Sequence, residues 1–277
     1  GQYHFYLEPN AAVTTQSSDG HFYIHPTSRD LNTARDDAAR HLGIQSNRVN
    51  VNVKRLGGSF CSKLNRSAII STATAIASQR LQCPVKMRLP RDVDTRIMSG
   101  DHNVFAKYKV AFRKENGMIE ALKIQFYVDS GYSYKNNKDI VIKMLLHSDS
   151  VYRIPNLQFD TFMCQTNKIT NAHFRGCGSQ NAGMVIESIF ERISHHLIKK
   201  ELDIKQANFY KINDKTPIGV VLDDINIDRC WSLIKEKSNF NELQRCVHAF
   251  NIIMKNKKRG LSITPVKFGV GHGFACL

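Results

Sequence analysis

The chain has 277 residues, 42% of them hydrophobic, and its 39 Lys and Arg against 24 Asp and Glu give a formal charge of +15. That is apolar content enough for a real core in one large or two ordinary domains. No run approaches the ~20 apolar residues of a membrane span, and residues 1–9 lack the charged and apolar halves of a secretory signal. The seven cysteines are scattered, odd in number and never at CxxC spacing. This argues against a disulfide framework, a zinc ribbon or an iron–sulfur cluster and points to a reducing, cytoplasmic setting. The charge raises nucleic acid or an anionic surface as a partner. However, the basic residues are dispersed, the densest cluster (Lys255, Lys257, Lys258 and Arg259) is short, and no reader motif or interleaved aromatic platform is legible. Nucleic acid is therefore not an expected partner.

In chain order, residues 1–8 (GQYHFYLE) alternate aromatic and polar side chains and predict a strand ending at Pro9, with His4 as a hydrogen-bonded packing residue. Residues 21–24 read as the return strand of a hairpin, 26–30 as a loop, and 36–42 as a short helix closed by Gly43. The stretch 49–79 organises the rest. Val49, Val51 and Val53 alternate as a half-buried strand, Gly57 and Gly58 stop it, and a small-residue helix rich in Ala, Ser and Thr begins at Asn65. Two readings stand: a loop that lets another molecule approach, with the helix's free N-terminal amides aimed at it, or an ordinary strand-to-helix turn.

Residues 84–89 predict a strand, and 105–112 with 118–128 a hairpin whose turn carries Asn116 and Gly117. A loop over 132–139, an apolar stretch over 140–147 and a strand pair around 158–165 follow. A second glycine turn at 175–178 opens an amphipathic helix whose stripe is Ile186, Ile189, Phe190, Ile193 and Leu197. Residues 201–206 read as a linker, 229–237 and 241–254 as helices, and 260–270 as a strand-like end.

Six blocks then fall in a recognisable order: GQYHFYLE at 1–8, VKRLGGSFCSK at 53–63, YRIPN at 152–156, TN at 166–167, FRGCG at 174–178 and KKRGLSITPVKFG at 257–269. They resemble the molybdenum-cofactor half of the xanthine dehydrogenase and aldehyde oxidase family, over the whole chain. The resemblance implies an α+β, two-lobed molybdopterin-binding region with mixed sheets and packed helices. Residues 1–204 would form the first cofactor-binding domain, and 205–277 the start of a second, truncated one. It implies a molybdenum–molybdopterin cofactor and hydroxylation of a small aldehyde or N-heterocycle with water as oxygen source. A homodimer is the implied assembly, and iron–sulfur clusters and FAD enter only if other domains supply them. The resemblance further implies that the protein gives the metal no ligand of its own.

Carried over by position, Phe60 in the first loop and Arg175 in the second turn are implied cofactor contacts, and Arg29 stands where the family has a glutamine facing the molybdenum oxo group. The family loop GGGFGGK is here Gly57, Gly58, Ser59, Phe60, Cys61, Ser62, Lys63, so three added side chains crowd the implied cradle. In the substrate pocket Leu64 replaces a glutamate, Lys143 an arginine and Cys177 a phenylalanine, while His272 and Gly273 fall on the last pocket positions. Leu64 resembles the aldehyde-oxidising branch. No catalytic residue is expected in this chain, because the family's general base would follow Leu277 and the carboxylates Glu8, Glu187 and Asp223 read as packing, helix surface and loop. The competing expectation is a cofactor-free, non-catalytic paralogue serving as an interaction or dimerisation module.

Overall fold

The computed structural model describes residues 2–64, 66–98, 100–133 and 138–269. The fold is α+β and divides into two compact units, the first from Gly1–Val104, Val128–Ile140 and Met163–Cys177, the second from Phe105–Tyr127, Val141–Phe162 and Gly178–Leu277.

In the first unit, β1 (Ala11–Gln16), β2 (Phe22–Pro26), β3 (Val49–Val51) and β4 (Val85–Arg88) make a mixed sheet in the order β3-β2-β1-β4, with β2 and β3 parallel and the other pairs antiparallel. Helices α1 (Leu31–Leu42) and α2 (Ala68–Leu81) pack on it, burying Phe22, Ile24, Ala38, Ala39, Leu42, Val49 and Ala75 together. The small residues of α2 bring it close to the sheet: Ser71, Thr74 and Ser78 are buried, and the Thr74 hydroxyl lies 2.8 Å from that of Thr14 on β1. Helix α3 (Arg91–Met98) completes the layer, with Met98 in a cluster with Ala12, Ile70 and Leu89.

In the second unit, β5 (Val104–Phe112), β6 (Ile119–Gly131) and β7 (Asn156–Gln165) form a sheet in that order; Val104 and the last residues of β6 and β7 group with the first unit. Helix α5 (Ser179–Leu197) buries Ile186, Ile189, Phe190 and Ile193 of the expected stripe and leaves Leu197 half-buried. Helices α4 (Lys138–Leu146, its first three residues grouping with the first unit), α6 (Glu201–Ala207), α7 (Ile227–Lys237) and α8 (Phe240–Ile253) complete the described α-helices. Among the described residues no helix is long and apolar enough to cross a membrane.

Several expectations change. Residues 2–8 keep the predicted alternation, with His4 and Tyr6 buried and Tyr3, Phe5 and Leu7 exposed, yet among the described residues their strand pairing is limited to an isolated bridge between Tyr3 and Gly100. The hairpin partner of β2 is β1 instead. Residues 140–147 are largely helical, as α4, and only one strand, β7, follows, paired with β6. The described part of 260–270 forms no strand, and Val270 lies outside the described residues. The supposed linker at 201–206 is α6, held by an ion cluster rather than by apolar periodicity. Lys205, 2% exposed, lies 2.6 Å from Glu187 and 2.5 Å from Glu201, and Glu187 also accepts the Tyr152 hydroxyl at 2.6 Å. Glu187 is thus a core ion partner and not helix surface. Burial pulls the Lys205 ammonium down, but Glu187 and Glu201 outweigh it and leave its pKa raised. Lys205→Met should cost about 2–3 kcal/mol in urea unfolding, because two partly screened carboxylates lose their cation. A cost within error of zero would mean that those carboxylates rehydrate freely.

Candidate functional site

The segment that precedes β1 is fixed by a buried polar network. Tyr6 is 1% exposed and donates its hydroxyl to Asp94 Oδ2 at 2.6 Å, while Asn10 donates its backbone and side-chain N–H groups to Asp94 Oδ1 at 2.8 and 2.7 Å. The Asn10 amide also donates to the Tyr6 oxygen at 2.8 Å, and Arg91 donates to the carbonyls of Tyr6 and Leu7. Burial first, and then Asp94, push the Tyr6 phenol far above its ordinary pKa, so it remains a donor across the physiological range.

The first glycine turn docks on this segment. Glu8 accepts the Gly57 amide at 2.8 Å and the Lys63 ammonium at 3.0 Å, and Lys63 also donates to the Glu8 carbonyl at 2.8 Å. Lys63 is fully buried and lies 4.6 Å from the centre of the Tyr6 ring; desolvation lowers its pKa, against the pull of Glu8. A Cβ on Gly57 would sit 2.5 Å from Glu8 Cβ, and one on Gly58 would sit 2.9 Å from Tyr6 Cβ. The close approach that needs these glycines is therefore to the chain's own Tyr6 and Glu8.

Beyond the glycines the loop changes character. Gly58, Phe60 and Cys61 have φ of 102°, 51° and 76°, the left-handed region. Of the three side chains added relative to the family pattern, two point inward: Ser59 and Ser62 are buried, and Ser59 Oγ accepts the Lys63 amide at 3.2 Å. Only Cys61, half-buried, remains on the open side beside exposed Phe60, so the expected crowding reduces to one residue. Among the described residues, the amides of Gly58, Ser59, Phe60 and Cys61 make no hydrogen bond. Consecutive amides around left-handed residues form a concavity suited to an anionic or acceptor-rich group. The α2 amides do not play this part, because those of Ile69, Ile70 and Ser71 already bond to the Arg66 and Ser67 carbonyls.

The second turn docks on the same segment. His4 Nε2 lies 2.7 Å from the His173 carbonyl, and its ring packs on Phe174 at 4.9 Å. Gly176 and Cys177 have φ of 95° and 48°, and the Cys177 amide donates to the Phe174 carbonyl at 2.8 Å. The four-residue step from His4 to Glu8 spans at most about 14 Å, so both turns hang from one short extended strip.

Arg29 joins the first loop through its backbone, which donates to the Lys63 carbonyl at 2.7 Å, and the neighbouring Ser28 hydroxyl contacts the Leu64 carbonyl at 3.5 Å. Phe60, Leu64 and Arg29 are thereby brought together, with Arg175 and Cys177 on the second turn of the same unit; Arg29 and Arg175 are exposed. Lys143 belongs to the second unit, on α4. His272 and Gly273 lie outside the described residues. No three His, Cys, Asp or Glu side chains converge as metal ligands among the described residues. Sequence reasoning missed Asp94 and the anchoring role of Lys63. The signal for α3 was present, with Pro90 ahead of acidic Asp92 and Asp94, whereas burial of Lys63 has no sequence signature. Relieving the left-handed strain with Cys61→Gly should raise stability by about 0.5–1 kcal/mol, measured by thermal or urea unfolding. A loss of stability would mean that the thiol makes compensating contacts.

A family model for the molybdopterin cofactor-binding domain matches residues 1–209. The chain is similar to xanthine dehydrogenase/oxidase of Gallus gallus, 33% identical over 98% of this chain and 20% of that protein. It is also similar to xanthine dehydrogenase of Dictyostelium discoideum, 35% identical over 97% of this chain and 20% of that protein. With aldehyde oxidase 3 of Mus musculus it shares 32% identity over 98% of this chain and 20% of that protein, so it spans about a fifth of these relatives. Its fold superposes on the aldehyde oxidoreductase of Desulfovibrio gigas with a TM-score of 0.75 at 20% identity, over 92% of this chain and 27% of that one. The ordered sequence blocks, the paired glycine turns and these matches agree: the chain belongs to the molybdopterin-binding family of the xanthine dehydrogenase and aldehyde oxidase type.

Proposed function

We propose that this chain is the cofactor-cradling part of a molybdopterin-dependent oxidoreductase that hydroxylates aldehydes or N-heterocycles, with residues 1–204 as its first cofactor-binding domain and 205–277 as the start of its second. The observation that carries this is the run of uncommitted amides from Gly58 to Cys61, held open by the buried anchors beneath it. Such donors fit a pterin with its anionic phosphate and dithiolene groups. Exposed Arg175 and Arg29 would add charge-assisted donors at the edge of the same unit. Bound there, the group would supply two-electron oxidation of the substrate carbon with water as oxygen source. This chain's own residues would orient it and shape its surroundings.

Leu64 sets the substrate preference in this reading: an apolar side chain after the loop lysine suits an aldehyde better than a polar purine. No general base is assigned to this chain, and iron–sulfur clusters and FAD enter only through further domains. A homodimer belongs to the same proposal. Cys61 favours a second reading, since a left-handed cysteine on the open side of the loop narrows the cradle, as in a cofactor-free interaction module.

Elemental mass spectrometry of protein purified from its native source should find near-stoichiometric molybdenum, and Cys61→Gly should not lower it. Folded protein without molybdenum in both forms, from cells whose other molybdenum enzymes are loaded, would overturn the proposal and favour the second reading.

A further inference from the structure

The outer face of the β5-β6-β7 sheet carries a feature that cofactor binding does not use. Tyr108 lies 6.0 Å from the Arg192 guanidinium of α5, and Phe112 meets His196 of the same helix at 5.8 Å. Side chains alternate along a strand, so Phe105, Lys107 and Lys109 face the other way. On that face three rings form one row across all three strands. Phe105 and Tyr127 are 6.1 Å apart, and Tyr127 and Phe162 are 5.1 Å apart with planes only 18° from parallel. Phe105 is 59% exposed and Phe162 46%, far from the usual burial of such rings.

Cations flank the row. Lys107 Nζ sits 5.6 Å from the centre of the Tyr127 ring, and a groove of about 340 Å³ is lined by Lys107, Tyr108, Lys109, Lys123 and Gln125. Among the described residues neither Lys107 nor Lys109 has a carboxylate within ion-pair distance, while Lys123 lies 3.6 Å from Asp160. Asp160 is also approached by the amides of Gln125 at 3.4 Å and Gln158 at 3.3 Å.

We propose that this face binds single-stranded RNA. Bases stack on the exposed Phe105 and Phe162, with Tyr127 between them as their support, as π-faces allow for any sequence, and phosphates pair with Lys107 and Lys109. The Tyr127 and Phe162 rings stack on one another and Lys107 covers Tyr127, so the exposed faces of Phe105 and Phe162 are the surfaces on which two bases would lie, with Tyr127 bracing the row between them. A duplex hides its base faces from such a row. Asp160, a carboxylate within a basic platform, repels phosphate but accepts a hydrogen bond from a ribose 2′-hydroxyl, which selects RNA over DNA. The platform also gives part of the +15 charge a partner. The sequence concealed it, because the three aromatics stand far apart along the chain and only strand adjacency aligns them.

Fluorescence anisotropy of a labelled oligouridine RNA dodecamer tests the proposal on the intact protein, beside oligodeoxyuridine, a DNA duplex and phosphatidylserine vesicles. RNA should bind several-fold more tightly than the matching DNA and much more tightly than duplex. The Phe105→Ala/Phe162→Ala variant should bind about tenfold or more weakly. The Lys107→Gln/Lys109→Gln variant should lower the salt slope by about 1.4, and Asp160→Asn should narrow the gap between RNA and DNA. No RNA binding at low salt, equal binding of duplex, equal binding of DNA, affinity indifferent to the aromatic substitutions, or binding of vesicles but not RNA would each overturn it. Should a variant fail to fold by circular dichroism, acetylation footprinting of the unaltered protein decides. RNA must protect Lys107 and Lys109, and unprotected lysines refute the site.

Discussion

Asp94 is the constraint on which the candidate site depends. It is a nearly fully buried carboxylate, and it is tolerable there because Tyr6 and two Asn10 donors surround it, with Arg91 4.0 Å away. In return it fixes the strip from His4 to Glu8 without a ladder of backbone bonds. Both glycine turns then attach to that strip, one through Glu8 and Lys63, the other through His4. Had the strip been a regular strand, its backbone donors would have been spent on neighbours. Instead its Glu8 amide donates to the Gly57 carbonyl at 3.3 Å, and the side chains of His4 and Glu8 reach the two turns.

This arrangement changes what the loop glycines mean. Gly57 and Gly58 permit contact with Glu8 and Tyr6, and the concave run of unbonded amides is that of Gly58 to Cys61. Buried Lys63 holds the far end of the loop, so it serves as an anchor rather than as a charge offered to a ligand. The loop can therefore lose glycines at Ser59 and Ser62, whose side chains turn inward, and keep its backbone concave. Cys61 is the position at which divergence meets the cradle directly.

Much of the fold was legible because local chemistry agreed with tertiary need. Asn116 and Gly117 marked the β5–β6 turn, the small residues of α2 foretold close helix–sheet packing, and the Ile and Phe stripe of α5 is its buried face. What failed was set by distant partners. The alternation of residues 2–8 gave the right buried face but could not reveal that, among the described residues, its one β-bridge is to Gly100. Helix α6 is seven residues long and depends on Lys205 meeting Glu187 from another helix. The candidate loops were found from glycines and family blocks, whereas their anchors were not, since the pairing of Asp94 with Tyr6 spans 88 positions.

The central claim is that one buried network holds both turns, and amide hydrogen exchange of Asp94→Asn tests it most directly. The account predicts that the amides of Gly57, Lys63 and Cys177, each bonded in the native turns, lose protection together while those of α1 keep theirs. Unchanged protection at either turn would contradict a shared anchor and leave the two loops independently supported.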